Sequence, residues 1–171
     1  MPDTGSLALV LGGARSGKST YAESLISAKP APWRYIATAQ AFDDEMTERI
    51  AAHRARRDER WETIDAPLAL ADALSASPRG QPVLVDCVTL WLSNRMLAEA
   101  DIEAEVRKLT AVLARPAGHW VLVSNEVGSG IVPENALARR FRDEAGRLNQ
   151  KIAALADEVV LVVAGLPVKV K

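Results

Sequence analysis

Near the N-terminus the residues Gly12-Gly13-Ala14-Arg15-Ser16-Gly17-Lys18-Ser19 place Gly, four residues, Gly, Lys and Ser at the spacing that cradles phosphate. Glycines at 12, 13 and 17 permit positive φ and a close approach of backbone N–H groups to phosphate oxygens, at a helix N-terminus whose dipole favours anions. In this pattern Lys18 reaches the β and γ phosphates and Ser19 offers its hydroxyl to Mg²⁺. The flanks suit the loop: Leu7 to Leu11 is an apolar run fit for a buried parallel strand, and Lys18 to Ile26 continues as a helix.

A second chemical neighbourhood surrounds His53. Residues Asp43 to Arg60 read as one amphipathic helix, with acids early (Asp43, Asp44, Glu45, Glu48) and bases late (Arg49, Arg54, Arg56, Arg57, Arg60), which complements the helix dipole. Met46, Ile50, His53 and Arg57 share one stripe, and Arg49, Arg56 and Arg57 fall three or four residues from the histidine. Cationic neighbours favour the neutral imidazole, the form that can attack phosphorus, while the same guanidiniums can hold a polyphosphate. A surface histidine on a salt-bridged helix fits the pattern as well.

The third is Asp86, at the carboxyl end of the apolar strand Pro82 to Val88. Nucleotide-binding α/β domains place a carboxylate there for Mg²⁺ or its water shell; an aspartate capping the next helix is the rival reading. Cys87 beside it reads as a small core residue.

The whole chain must position these groups. Its 171 residues suit one domain, residues 1–171, with no linker, repeat or low-complexity run. Lys+Arg 21 against Asp+Glu 22 gives a net charge of −1, so no global basic field points to nucleic acid or a membrane surface. One cysteine excludes an internal disulfide framework and fits a reducing, cytoplasmic setting. The start Met1-Pro2-Asp3-Thr4-Gly5-Ser6 lacks a basic n-region, and no apolar run approaches about 18 residues, so neither an export signal nor a membrane span is expected.

Between the three neighbourhoods, Trp33 to Thr38 reads as a strand ending in Ala37-Thr38-Ala39-Gln40, at the edge where open parallel sheets bind ligands. Trp61 to Pro67 follows without a strand assignment, then a helix from Leu68 to Ser75. Helices over Thr89 to Ala98 and Asp101 to Ala114 precede the buried strand Trp120 to Ser124. Asn125 and Glu126 with Gly128 and Gly130 form either a substrate loop or an ordinary turn, and His119 reads as structural or exposed. A helix from Pro133 to Asp157, a buried strand Val159 to Val163 and an edge strand Val168 to Lys171 complete the chain. The alternation predicts an α/β fold, a mostly parallel sheet flanked by helices on both faces.

The loop 12–19, Tyr35-Ile36-Ala37-Thr38-Ala39, the stretch Asp43-Asp44-Glu45-Met46 through Arg49-Ile50 to His53-Arg54, and Ser124-Asn125-Glu126-Val127-Gly128 with Gly130-Ile131-Val132-Pro133-Glu134-Asn135 together resemble one family. It is the bifunctional adenosylcobinamide kinase and adenosylcobinamide-phosphate guanylyltransferase family of cobalamin biosynthesis. The resemblance extends to Phe141-Arg142-Asp143, Gly146-Arg147 and Asn149-Gln150, and so covers nearly the whole chain.

The resemblance implies two reactions: phosphorylation of the aminopropanol hydroxyl of adenosylcobinamide by a nucleoside triphosphate, ATP or GTP, and transfer of GMP from GTP to the resulting adenosylcobinamide phosphate. It implies that His53 carries GMP as a covalent intermediate, with Lys18 as a second catalytic residue. Nucleotide contacts are implied at Gly12, Gly13, Ala14, Arg15, Ser16, Gly17, Lys18 and Ser19, at Ala37, Thr38 and Ala39, at Arg54, Ala55, Arg56 and Arg57, and at Asp65 and Asp86, with Mg²⁺ at Ser19 and Asp86. The family often has Glu where this chain has Asp65 and Asp86, which keeps the charge and shortens the reach by one methylene; Glu62 is a competing acid. The implied fold is a phosphate-loop α/β sheet of the recombinase-like kind, and the implied assembly is a homo-oligomer, with a trimer as the expectation. A plain small-molecule kinase and a non-catalytic nucleotide-binding module are the rival functions. A signalling GTPase is not supported, because no Asn-Lys-x-Asp guanine motif is present.

Overall fold

The computed structural model describes residues 5–171; Met1 to Thr4, part of the N-terminal stretch assessed above, lie outside the described residues. Seven strands form one sheet in the order β3-β2-β4-β5-β1-β6-β7. The strands are β1 (Ser6–Gly12), β2 (Trp33–Ala37), β3 (Trp61–Asp65), β4 (Val83–Asp86), β5 (His119–Asn125), β6 (Glu158–Val163) and β7 (Leu166–Lys169). All neighbouring pairs are parallel except β6 with β7. The helices are α1 (Lys18–Ser27), α2 (Asp44–Ala55), α3 (Leu70–Ser75), α4 (Val88–Leu97), α5 (Ile102–Leu113) and α6 (Ala136–Leu155).

The pleat divides the core in two. Leu7 and Leu9 of β1, with Val83, Val85 and Leu122, face a layer built from Leu74, Trp91, Leu109, Leu148 and Ile152 of α3 to α6. Ala8, Val10, Leu84, Val121 and Val160 face the other way, onto Ala22 and Ile26 of α1. Towards β3 that second face has no helix over it. Trp33, Tyr35 and Trp61 close it instead, with Arg60 4.7 Å above the Trp33 ring and Arg57 3.7 Å above the Tyr35 ring.

Several boundaries differ from the sequence reading: the closing edge strand spans Leu166–Lys169 rather than 168–171, the helix expected from Leu68 starts at Leu70, and others shift for a local reason. The helix expected to run to Arg60 stops at Ala55, and Asp58 then folds back, its Oδ1 accepting from the backbone N–H of Arg60 at 3.0 Å. Such side-chain-to-backbone bonds compete with helix continuation. The chain turned there pairs Trp61 to Asp65 with Trp33 to Ala37 as an added edge strand. The last long helix starts at Ala136 rather than Pro133, because Asn135 caps it by accepting from the N–H groups of Leu137 and Ala138 at 2.8 and 3.1 Å.

His119 begins β5 at the sheet edge opposite the strand ends that carry Asp86 and Asn125, its Nδ1 2.7 Å from the Ser6 hydroxyl. Burial first, then the nearby Lys29 ammonium, hold its imidazole below the ordinary value, with Glu158 opposing. The unfolded chain therefore takes up the proton first as pH falls through about 6.5, and folding stability declines downward from there towards the lower folded value. Urea midpoints measured between about pH 7.5 and 5.5 should fall more for the wild type than for His119→Gln; equal slopes would remove His119 as the cause.

Candidate active site

The carboxyl ends of β1 to β5 surround a cleft of about 270 Å³. Sheets of this kind bind ligands at that edge. The phosphate loop joins β1 to α1, and Gly17 at the start of α1 has φ 90. Gly12 is crowded for a different reason: a Cβ there would lie 2.3 Å from Ser16 Oγ, which would have to rotate away, and 3.1 Å from the Val162 carbonyl oxygen. The positive φ expected of three glycines is thus confined to Gly17 within the loop, while Arg15 takes a φ of 54 without being glycine. Lys18 Nζ donates to the Gly13 carbonyl at 3.0 Å, which folds the ammonium over the loop.

Ser19 Oγ donates to Asp86 Oδ2 at 3.4 Å, and Tyr35 Oη donates to the same oxygen at 2.7 Å. Strand β5 lies between β1 and β4, yet the first turn of α1 brings Ser19 across to Asp86. Asp86 does not cap α4; Cys87 does, through Sγ to the Leu90 N–H at 3.5 Å. Burial, reinforced by Asp86, raises the Tyr35 phenol far above its ordinary range, so it remains a hydrogen-bond donor. The same two causes push the Cys87 thiol up to about 11, so it stays protonated at neutral pH and packs as a core residue.

His53 enters the cleft from the last turn of α2. Its Nδ1 is buried and has no hydrogen-bond partner among the described residues. Arg57 connects it to the floor: Nη1 donates to the His53 carbonyl at 3.1 Å while the guanidinium lies over Tyr35. Arg54 Nη2 donates to both oxygens of Asp65 at 2.8 and 2.9 Å, fastening α2 to the end of β3. Helix α2 buries none of its own residues.

Lys18, Ser19, Ala37, Ala39, His53, Arg54, Arg57, Asp65 and Asp86 all line this cleft. Gly12 to Gly17 stand outside the lining and meet it through Lys18 and Ser19. Three residues expected at the nucleotide stand elsewhere. Thr38 is fully buried, its hydroxyl bonded to the Cys87 carbonyl and N–H at 2.6 and 2.9 Å, so it holds the β2–β4 junction. Arg56 turns outward to Glu23 at 3.1 Å, and Ala55 is exposed beside it. Glu62 pairs with Arg34 at 3.0 Å and leaves the cleft to Asp65. The sequence does not single out Tyr35 and Leu90, which also line the cleft. Tyr35 sat inside an apolar strand pattern whose alternation could have marked it, and Leu90 carried no signal beyond hydrophobicity.

Four cations, Lys18, Arg49, Arg54 and Arg57, face two acids, Asp65 and Asp86, around an apolar wall that includes Met46, Ile50 and Leu90. That excess suits an anion larger than a single phosphate with an apolar body beside it. Among the described residues no cluster of three or more metal-binding His, Cys, Asp or Glu is present, and no helix is long and apolar enough to cross a membrane.

Residues 8–170 match the family described as cobinamide kinase / cobinamide phosphate guanyltransferase. The chain is 49% identical over 166 residues to the bifunctional adenosylcobalamin biosynthesis protein CobP of Pseudomonas aeruginosa, covering 95% of this chain and 96% of that one. It is 45% identical over 179 residues to the bifunctional adenosylcobalamin biosynthesis protein CobU of Escherichia coli K12, covering 95% and 98% respectively. In fold alone it is similar to a Pyrococcus horikoshii OT3 protein, Project ID PH0250 (TM-score 0.59, 8% identity, 99% of this chain and 87% of that chain). It is also similar to a prototypical ATPase of a bacterial type III secretion system (TM-score 0.59, 10% identity, 96% and 56%).

Proposed function

The chain belongs to the cobinamide kinase / cobinamide phosphate guanyltransferase family, and from that premise we propose that one cleft, in one domain, serves both reactions through two different phosphorus atoms. The observation that carries the reading is the convergence of Lys18 and Ser19 from α1 with His53 from α2 on the same anion-binding space.

In the kinase step the loop and Lys18 hold the β and γ phosphates of a nucleoside triphosphate, ATP or GTP, and the substrate alcohol takes the γ-phosphoryl group. In the transferase step the His53 imidazole attacks the α-phosphorus of GTP. The N–P bond forms as the bond to the β-phosphate oxygen breaks, and pyrophosphate leaves with the electron pair. A phosphate oxygen of adenosylcobinamide phosphate then attacks the same phosphorus, releasing the imidazole and giving adenosylcobinamide-GDP. Arg49, Arg54 and Arg57 balance the charge of the bound phosphates.

Ser19 Oγ and Asp86 Oδ2, 3.4 Å apart, are hard oxygen donors of the kind Mg²⁺ prefers, so these two residues would hold the ion. When bound, Mg²⁺ would neutralise charge on the phosphates. The working assembly in this reading is a homo-oligomer, a trimer, in the cytoplasm.

The test is incubation with GTP labelled at the α-phosphate. The reading requires label that stays with the denatured protein, is released by acid and survives base, as a phosphorus–imidazole bond does. Label absent from the protein while guanylylation proceeds would sink the covalent route.

A further inference from the structure

We propose that Asn125 positions the attacking alcohol of the kinase step, presenting its side-chain carbonyl oxygen as the acceptor for the hydroxyl proton. The inference rests on the reading above, in which the cleft holds the triphosphate.

Asn125 ends β5 directly opposite Gly12, the first residue of the phosphate loop, and the next residue ties the two strands, Glu126 N–H donating to the Gly12 carbonyl at 2.9 Å. Strand β4 stops at Asp86 opposite Val123. Asn125 therefore stands two residues, roughly 7 Å, beyond the acid along the strand direction and lines the cleft from there.

A buried chain of hydrogen bonds sets which way its amide faces. Ser124 Oγ donates to Asn149 Oδ1 on α6 at 2.6 Å. That leaves Ser124 Oγ to accept from Thr89 Oγ1 at 3.4 Å. Thr89 Oγ1, its proton committed, accepts from the Asn125 backbone N–H at 2.7 Å and from Asn125 Nδ2 at 3.3 Å. Nδ2 also lies 3.7 Å from Cys87 Sγ. Thr89 and Ser124 are 3% and 1% exposed, so water does not rearrange the chain. With Nδ2 held inward, Oδ1 is the amide atom left for the cleft.

An acceptor is unusual there. Both oxygens of Asp65 accept from Arg54, and Asp86, whose Oδ2 accepts from Tyr35 and Ser19, is the acid given to Mg²⁺ in the reading above. The cations that line it are donors suited to phosphate. A neutral carbonyl oxygen repels phosphate and takes a donor instead. Of the two substrate groups that attack phosphorus, the alcohol carries such a proton; the phosphate of the second reaction does not. With the O–H directed at Asn125, a lone pair of the alcohol oxygen is free for the γ-phosphorus. The new O–P bond forms, the bond to the β-phosphate oxygen breaks with its electron pair leaving on the nucleoside diphosphate, and the hydroxyl proton passes to a phosphate oxygen and then to solvent. The amide orients and gains no proton.

The experiment measures two rates on each preparation of Asn125→Ala and Asn125→Asp: phosphorylation of adenosylcobinamide, and guanylylation of adenosylcobinamide phosphate supplied ready-made. Their ratio does not depend on the fraction of protein folded. For Asn125→Ala the kinase kcat should drop on the order of 100-fold relative to the guanylylation kcat. Asn125→Asp, which keeps an acceptor oxygen, should recover at least about tenfold of that loss. An unchanged ratio for Asn125→Ala overturns the proposal, as does Asn125→Asp at or below Asn125→Ala, the result expected of a group that donates to phosphate. Lys18→Ala run alongside separates the two readings: if it keeps full kinase activity, the shared triphosphate site fails; if it loses activity while the Asn125 ratio stays fixed, only the present inference fails.

Discussion

Replacing His53 with asparagine is expected to abolish protein labelling from α-labelled GTP and to lower guanylylation by at least about a thousandfold, the scale seen when a covalent nucleophile is removed. The kinase rate of the same variant should fall by less than about tenfold, since that step asks of His53 at most a contact with phosphate. The fold should tolerate the change. His53 is half-buried on a helix with no buried residue, and its Nδ1 makes no hydrogen bond among the described residues that asparagine would break. A variant that still guanylylates at more than about a tenth of the wild-type rate would show that the GMP group moves directly between substrates or by way of another residue.

Lys18→Ala is the second large effect, and it should strike both steps. The ammonium bonds to the Gly13 carbonyl and lines the cleft that also contains His53. In either reaction negative charge builds on the leaving phosphates, and loss of one preorganised donor of this kind costs on the order of 100- to 1000-fold in rate. The melting temperature should hardly move, because the one hydrogen bond lost is solvent-exposed. Steady-state rates for both half-reactions decide the point: a loss confined to the kinase would mean that GTP for guanylylation binds with its phosphates elsewhere.

Much of the site was legible because its parts are local in sequence. The loop 12–19 is contiguous, and the strand ends at Ala37 and Asp86 follow from apolar runs whose termination is visible. The arginines around His53 were legible as a helical pattern, but their destinations were not. Arg56 and Arg57 are neighbours in sequence, yet one leaves for Glu23 and the other covers Tyr35. Both destinations depend on where α1 and β2 lie, which spacing along α2 does not contain. β3 was missed for a related reason: Trp61-Glu62-Thr63-Ile64-Asp65 has a strand-like alternation but two acids, and its pairing with β2 comes from the Asp58 turn rather than from intrinsic propensity. The buried relay from Asn149 to Asn125 joins residues up to 60 positions apart, and no motif announced it. Residue separations of that kind become contacts only through the sheet order.

The absence of buried residues on α2 gives ionic strength a particular role. Three contacts hold the end of the helix that carries His53: the Arg54–Asp65 pair, the Arg56–Glu23 pair, and Arg57 on the Tyr35 ring. Exposed pairs contribute about 0–1 kcal/mol each and weaken as the screening length falls from about 8 Å at physiological salt to about 3 Å at 1 M. The central strands and the helices packed on them are held mainly by apolar burial, which added salt does not screen. Amide hydrogen exchange should therefore accelerate with KCl across Asp44–Ala55 while β1 and α4 hold their protection, so that the arm bearing the histidine loosens in salt that leaves the sheet intact.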